Sequence, residues 1–160
     1  MTFQKVLGGV SLREDWRPPD VEVIKGKRGR GDFVWMPRDP ELFVISDRAW
    51  KALRPLIEAD VEVLPVAIEA DAPYHFVNIL SVLDCLDREK TKFKFRSVDR
   101  QPVDIYEYAF TEVTLRGHHI FRPLLAEWGG TTIVSEEFKQ CVEQNKLKGV
   151  ILEDCDSFRL

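Results

Sequence analysis

Apolar and polar positions along this chain change period twice in the same way. Phe43, Val44 and Ile45 form a short run that meets Ser46 and Asp47; Ala49, Trp50, Leu53 and Ile57 then recur at helical spacing, and Val61, Val63 and Leu64 close the unit. Later, Ile133 and Val134 meet Ser135, Glu136 and Glu137; Phe138, Cys141 and Val142 share a helical face, and Val150, Ile151 and Leu152 follow. Each unit reads as strand, capped helix, strand. The two serines are 89 positions apart, and the same offset carries Leu53 onto Val142, Val61 onto Val150 and Val63 onto Leu152. A serine hydroxyl at a helix N-cap accepts a hydrogen bond from a first-turn amide, and acidic residues there meet the positive end of the helix dipole. Pro55 lacks an amide and clashes one turn back, which predicts a break or kink near Arg54. The two units are expected to brace opposite ends of one sheet.

Strands dominate the stretch between them. Asp32 to Trp35 predicts an edge strand, Pro65 either ends the strand before it or marks that strand as an edge, and Asp71-Ala72-Pro73 predicts a turn. Tyr74 to Leu80 is long and apolar enough for a central strand. Phe93 and Phe95 alternate with lysines as in a half-exposed strand; Val103 to Tyr108 alternates too, and Phe110 to Leu115 is expected to continue it. Residues 1–31 read as irregular, with an extended Trp16-Arg17-Pro18-Pro19 segment and a basic loop at Lys25 to Gly31. The fold class predicted is α+β: a single domain spanning residues 1–160, with a mixed or mostly antiparallel sheet and two short capped helices.

Composition narrows the function classes. A chain of 160 residues, 44% apolar and 11% aromatic, can fill one core. Its net charge of −4 and pI near 5.5 give no overall case for binding nucleic acid or an anionic membrane. No run approaches the roughly 20 apolar residues of a bilayer span, and no basic-then-apolar leader precedes Arg13 and Glu14, so the expected address is cytoplasmic. Cys85, Cys141 and Cys155 are odd in number and far apart, and read as reduced thiols.

Candidate chemistry is sparse. Ser46 and Ser135 are expected as caps, with no base beside either. His118 and His119 are adjacent, so on a strand they point to opposite faces and do not share a metal ion. Asp84 and Asp87, with Glu89 nearby, admit three readings: turn capping and solvation, a cation or acid-base cluster, and contact with basic groups of a protein partner. The loop at Lys25 to Gly31 has four cations and three glycines in seven residues, but not the glycine-lysine order that cradles phosphate. Trp16 and Trp128 lie in irregular stretches, where tryptophan serves as a lid over the core or as an interface anchor.

The strings together resemble the Imm11 immunity-protein family, also called the DUF1629 family. The resemblance is carried in order by Trp16 to Pro19, Leu42 to Ala49, Leu53 to Leu56, Val63 to Val66, Asn78 to Asp87, Tyr108 to Phe110, Ile120 to Pro123, and Phe138 through Val150. It spans roughly residues 16–152; Thr91 departs from it where a serine is expected. It implies an antitoxin that binds and neutralises the C-terminal toxin domain of a cognate bacterial effector, such toxins often being nucleases. It implies no catalytic residue, cofactor or metal. An acidic inhibitor facing a basic toxin would gain association rate by electrostatic steering. The expected partner-binding residues are Trp16, Asp84, Asp87, Glu89 and Trp128, with no direct nucleic-acid or membrane contact. Two alternatives stay open: a metal-assisted hydrolase using Asp84, Asp87, Glu89 and a histidine, and a non-catalytic small-ligand-binding module.

Overall fold

The β-branched and aromatic runs become strands, and the two serine-capped stretches become helices. The computed structural model describes residues 8–21, 31–36, 39–68, 73–95, 97–99, 102–124 and 131–155. In chain order these hold β1 (Asp20–Val21), β2 (Phe33–Met36), β3 (Asp39–Ser46), α1 (Asp47–Ile57), β4 (Val61–Pro65), β5 (Ala67–Ile68), β6 (Tyr74–Ile79) and β7 (Val82–Leu83). There follow β8 (Lys92–Phe95), β9 (Pro102–Glu107), α2 (Glu112–Leu115), β10 (Ile120–Pro123), β11 (Ile133–Val134) and α3 (Glu136–Gln144). The class is α+β, with strands in open antiparallel and mixed sheets.

The largest sheet runs β2-β3-β6-β4 with every pair antiparallel. The apolar run at Tyr74 to Ile79 is central, and the segment at Phe33 is the edge, as their patterns predict. Alternation divides the sheet between two cores. Phe33, Ile45, Val61, Val77 and Ile79 face one side, where α1 and α3 cover them with Ala49, Leu53, Ile57, Phe138 and Val142. Val44, Leu64 and Phe76 face the other, under Leu12 and the partly buried Trp16.

Both serine caps form. Ser46 Oγ accepts from the Ala49 amide at 3.1 Å, and Ser135 Oγ from the Phe138 amide at 3.2 Å. Pro55 does not break its helix, which runs through to Ile57. Proline sits in the last turn, where only the carbonyl one turn back is left without its helical donor, and burial of Leu53 and Ile57 holds the turn in place.

The two units are not braces at opposite ends of one sheet. Their helices pack side by side: Cys141 Sγ lies 3.3 Å from the Ala52 carbonyl as donor, and these residues are themselves 89 positions apart. The second unit belongs to another sheet, β11-β10-β7, where β10 pairs antiparallel with β11 and parallel with β7. Val150 to Leu152 is not a strand; Val150 and Leu152 pack against the helix-side core while Ile151 points to solvent. What fixes this segment is the edge of β2. Lys148 O accepts from the Asp32 and Phe33 amides, and the Asp32 carboxylate accepts from the Lys148 amide at 2.9 Å. Gly149 has φ +97°, and a Cβ there would lie 2.3 Å from the Phe33 carbonyl oxygen.

Residues 110–115 also depart from expectation. Phe110 makes only a bridge to Leu86, and α2 begins at Glu112 because Thr111 and an acidic first turn favour helix, with Thr114 Oγ1 donating to the Thr111 carbonyl at 2.7 Å. Lys25 to Arg30 and the Asp71-Ala72 half of the predicted turn lie outside the described residues. Among the described residues, no helix is long and apolar enough to cross a membrane.

Candidate functional site

The turn that carries Asp84, Asp87 and Glu89 is built outward from a buried anchor. Cys85 is fully buried beside Phe121 and Ile133, and burial pushes its thiol up to about 11, which removes it as a nucleophile near neutral pH. Leu86 bridges Phe110, the Asp87 amide donates to the Ala109 carbonyl at 2.8 Å, and the Thr111 amide donates to the Cys85 carbonyl at 2.8 Å. Thr91, where a serine is expected, is buried and donates its hydroxyl to the Ala109 carbonyl. The backbone of the turn is therefore pinned on both sides.

The three carboxylates divide their roles. Asp87 accepts from the Glu89 and Lys90 amides at 3.1 and 3.2 Å, and Lys90 Nζ lies 3.0 Å away. The Lys90 ammonium, with these amides, holds the Asp87 carboxyl below its ordinary range. Asp84 is exposed, 3.4 Å from the Arg88 guanidinium, and Glu89 is exposed. Exposed ion pairs of this kind contribute at most about 1 kcal/mol, so Asp84 and Glu89 are available to a partner at little cost. Among the described residues, no histidine joins them, and no three histidine, cysteine or carboxylate side chains are grouped to hold a metal ion.

Trp16 has a structural duty. Its ring stacks on Phe76 with centroids 5.0 Å apart, and its indole N–H donates to the Pro65 carbonyl at 2.7 Å. It is thus a lid over the second core that keeps part of its surface in solvent. Trp128 lies outside the described residues.

The histidines sit elsewhere, in a polar joint that no local sequence pattern announces. Asp60, 1% exposed, accepts from Ser81 Oγ at 2.6 Å and from the His119 amide at 3.0 Å, with His118 Nδ1 at 2.6 Å. Burial pushes the Asp60 carboxyl up, and the Ser81, His118 and His119 hydrogen bonds more than reverse this, so it stays below the ordinary range. His119 turns to a different partner, with Nδ1 2.9 Å from Ser135 Oγ. The adjacent histidines therefore meet different partners, although both precede β10 rather than lie on a strand. In the sequence Asp60 is one more acid in a turn before β4, and nothing nearby in the chain names its partners.

A model of the Imm11 immunity protein family matches residues 14–157. The chain belongs to the Imm11 family. No curated protein matches it. The family match takes in both capped helices, the Asp60 joint and the whole Asp84-to-Lys90 turn. The Imm11 chain also has a shallow hollow of about 250 Å³ between β2, α3 and the Val150-to-Leu152 segment, walled by Phe33, Trp35, Ile120, Val134 and Phe138. It is smaller than the roughly 300 Å³ at which small-molecule pockets begin, and its polar walls are Thr131 and Thr132. This hollow of the Imm11 protein therefore offers few polar groups to orient a small ligand.

Proposed function

We propose that this chain is an immunity protein that binds and neutralises the C-terminal toxin domain of a cognate bacterial effector, acting as one unit over residues 1–160. The single observation that carries the reading is the Imm11 family match over residues 14–157. The family supports a role by binding rather than catalysis. It agrees with the chemistry described: Ser46 and Ser135 accept from helix amides, Cys85 is buried, and the Asp84 turn holds no histidine. The contact surface proposed is the turn bearing Asp84, Asp87 and Glu89, with the open part of Trp16 and Trp128 as further contacts. Neutralisation takes place in the cytoplasm, before the toxin meets its substrate, and a nuclease is the toxin class expected. The net charge of −4 favours encounter with a basic toxin of that kind.

The test is co-expression of the neighbouring effector's C-terminal domain with and without this chain, followed by gel filtration of the pair. Rescue of growth together with a stable complex is the expected result. Continued killing with no complex sinks the reading.

A further inference from the structure

The second face of the main sheet is covered by an irregular segment, attached quite differently from the helices on the first face. Among residues 9–16 only Leu12 is buried, while Trp16 is partly covered on Phe76 and Val10 is 49% exposed. Among the described residues, the one backbone-to-backbone hydrogen bond of this segment, from the Asp15 amide to the Leu12 carbonyl, is internal to it. Backbone pairing therefore does not join it to the sheet.

Side chains make the join. Glu62 on β4, 4% exposed, accepts from Ser11 Oγ at 2.7 Å and from the Leu12 amide at 2.8 Å, and Arg13 Nε lies 3.5 Å away. Asn78 on β6 donates through Nδ2 to the Val10 carbonyl at 3.0 Å and to Glu62 at 3.3 Å, and the Trp16 indole donates to the Pro65 carbonyl. Two hydrogen bonds from the segment thus end on one carboxylate. Burial pushes the Glu62 carboxyl up, but the Leu12, Ser11 and Asn78 hydrogen bonds more than reverse this, so at neutral pH it is ionised and only accepts. The closed arrangement also carries a cost. Asn78 is fully buried and its Oδ1 has no hydrogen-bond partner, a penalty that ends when the segment lifts and water reaches the amide. At its C-terminal end the segment runs into Pro18-Pro19 and stays tied, because the Ala67 amide donates to the Pro19 carbonyl at 3.0 Å and β1 pairs with β5.

From this we infer that residues 9–16 are a strap, latched by Glu62 and hinged at Pro18-Pro19, which opens as one unit while the sheet and its helices stay folded. Closed, it seats Trp16 on Phe76 with part of the ring in solvent. Open, it withdraws Trp16 and uncovers Val44, Leu64, Phe76 and the Glu62 carboxylate. This side of the molecule thus alternates between two surfaces.

Hydrogen exchange of the full chain at neutral pH, followed by NMR, tests the strap through three probes: the Leu12 amide, the Trp16 indole N–H and the amides of β6 at the sheet centre. In the unaltered chain the two strap probes should exchange at least about 10-fold faster than β6, with little response to dilute urea. Glu62→Gln should speed both strap probes by about 10-fold or more, and the milder Ser11→Ala by about fivefold. Val142→Ala, in the helix-side core, should speed β6 and leave the strap probes unchanged. Strap probes that keep step with β6 in every variant overturn the inference, because the segment then opens only with the whole fold. So does a Leu12 amide that responds to Glu62→Gln while the Trp16 indole does not, since the segment then does not move as one. Strap probes unmoved by Glu62→Gln remove the latch and overturn it as well. If Glu62→Gln does not fold, Ser11→Ala and Val142→Ala decide between the same outcomes.

Discussion

The carboxylate of Asp60 lies 2.6 Å from Nδ1 of His118, although 58 positions separate the two residues. This contact joins the main sheet, entered at β4, to the second sheet, entered at β10, and Ser81 ties the end of β6 to the same acid. Replacing Asp60 with asparagine removes the charge and turns an amide donor toward groups that themselves donate. We expect Asp60→Asn to lower stability by about 1 to 3 kcal/mol, and Ser81→Ala by about 1 kcal/mol. Urea denaturation reads both, and equal stability of Asp60→Asn and the unaltered chain would refute the joint.

Acid should unfold the protein through three buried carboxylates. Burial raises each of Asp32, Asp60 and Glu62, but their hydrogen bonds overcome it: Arg48, the Lys148 amide and Ser46 for Asp32, and the Leu12 amide, Ser11 and Asn78 for Glu62. All three are held below their ordinary values. A depressed folded pKa contributes stability that is complete above the unfolded value, near 4, and is lost as pH falls through the folded value. Melting temperature should therefore be flat from pH 7 to about 5 and fall steeply below 4. Glu62→Gln should flatten that fall while lowering stability at pH 7. A melting temperature that rises on acidification contradicts the assignment.

Two glycines with left-handed backbone should respond differently to alanine. Gly117 has φ +81° and open space where a Cβ would lie, so Gly117→Ala should cost only the backbone strain of about 1 to 2 kcal/mol. Gly149 adds the collision with the Phe33 carbonyl, and Gly149→Ala should cost about 2 to 5 kcal/mol. Thermal or chemical denaturation of the two variants side by side gives the ranking.

Thiol labelling should separate the cysteines. None is in a disulfide, and Cys85 is buried with its thiol raised to about 11, whereas Cys141 and Cys155 are partly exposed. An aromatic disulfide reagent at pH 8 should modify no more than two thiols in the native protein and three in denaturant. Rapid labelling of all three in the native state would contradict the burial.

The carboxylates of the candidate site should divide stability from protection. Asp87→Ala loses two amide hydrogen bonds and should cost about 1 kcal/mol, while Asp84→Ala and Glu89→Ala should leave melting unchanged. If the turn meets the toxin, the Asp84 and Glu89 pair of substitutions weakens protection in co-expression without weakening the fold. Unchanged protection removes these residues from the interface.

Local patterns in the sequence were enough to place both serine caps, the central run at Tyr74 to Ile79, the edge at Phe33 and the half-exposed Phe93 strand, because caps and alternation are local physics. What escaped was long-range. The side-by-side packing of the helices, the pairing of β10 with β7, and the seating of Lys148 and Gly149 on β2 each rest on contacts across many positions, and no pattern around Val150 distinguishes a strand from a segment packed against a core. The site followed the same division. The exposure of Asp84 and Glu89 and the capping by Asp87 were readable from their turn, but the Trp16 stack on Phe76 and the Asp60 joint required the fold.

The meeting of Asp32 with Lys148 sets a schedule for synthesis. The two are 116 positions apart, so at roughly 5 to 20 residues per second the first waits on the order of 6 to 23 seconds for the second to leave the ribosome. Until then the outer edge of β2 has no cover and the helix-side core lacks Phe138 and Val142. A nascent chain therefore offers an open strand edge to proteases and to its neighbours, and the supply of competent protein is set by finished chains alone.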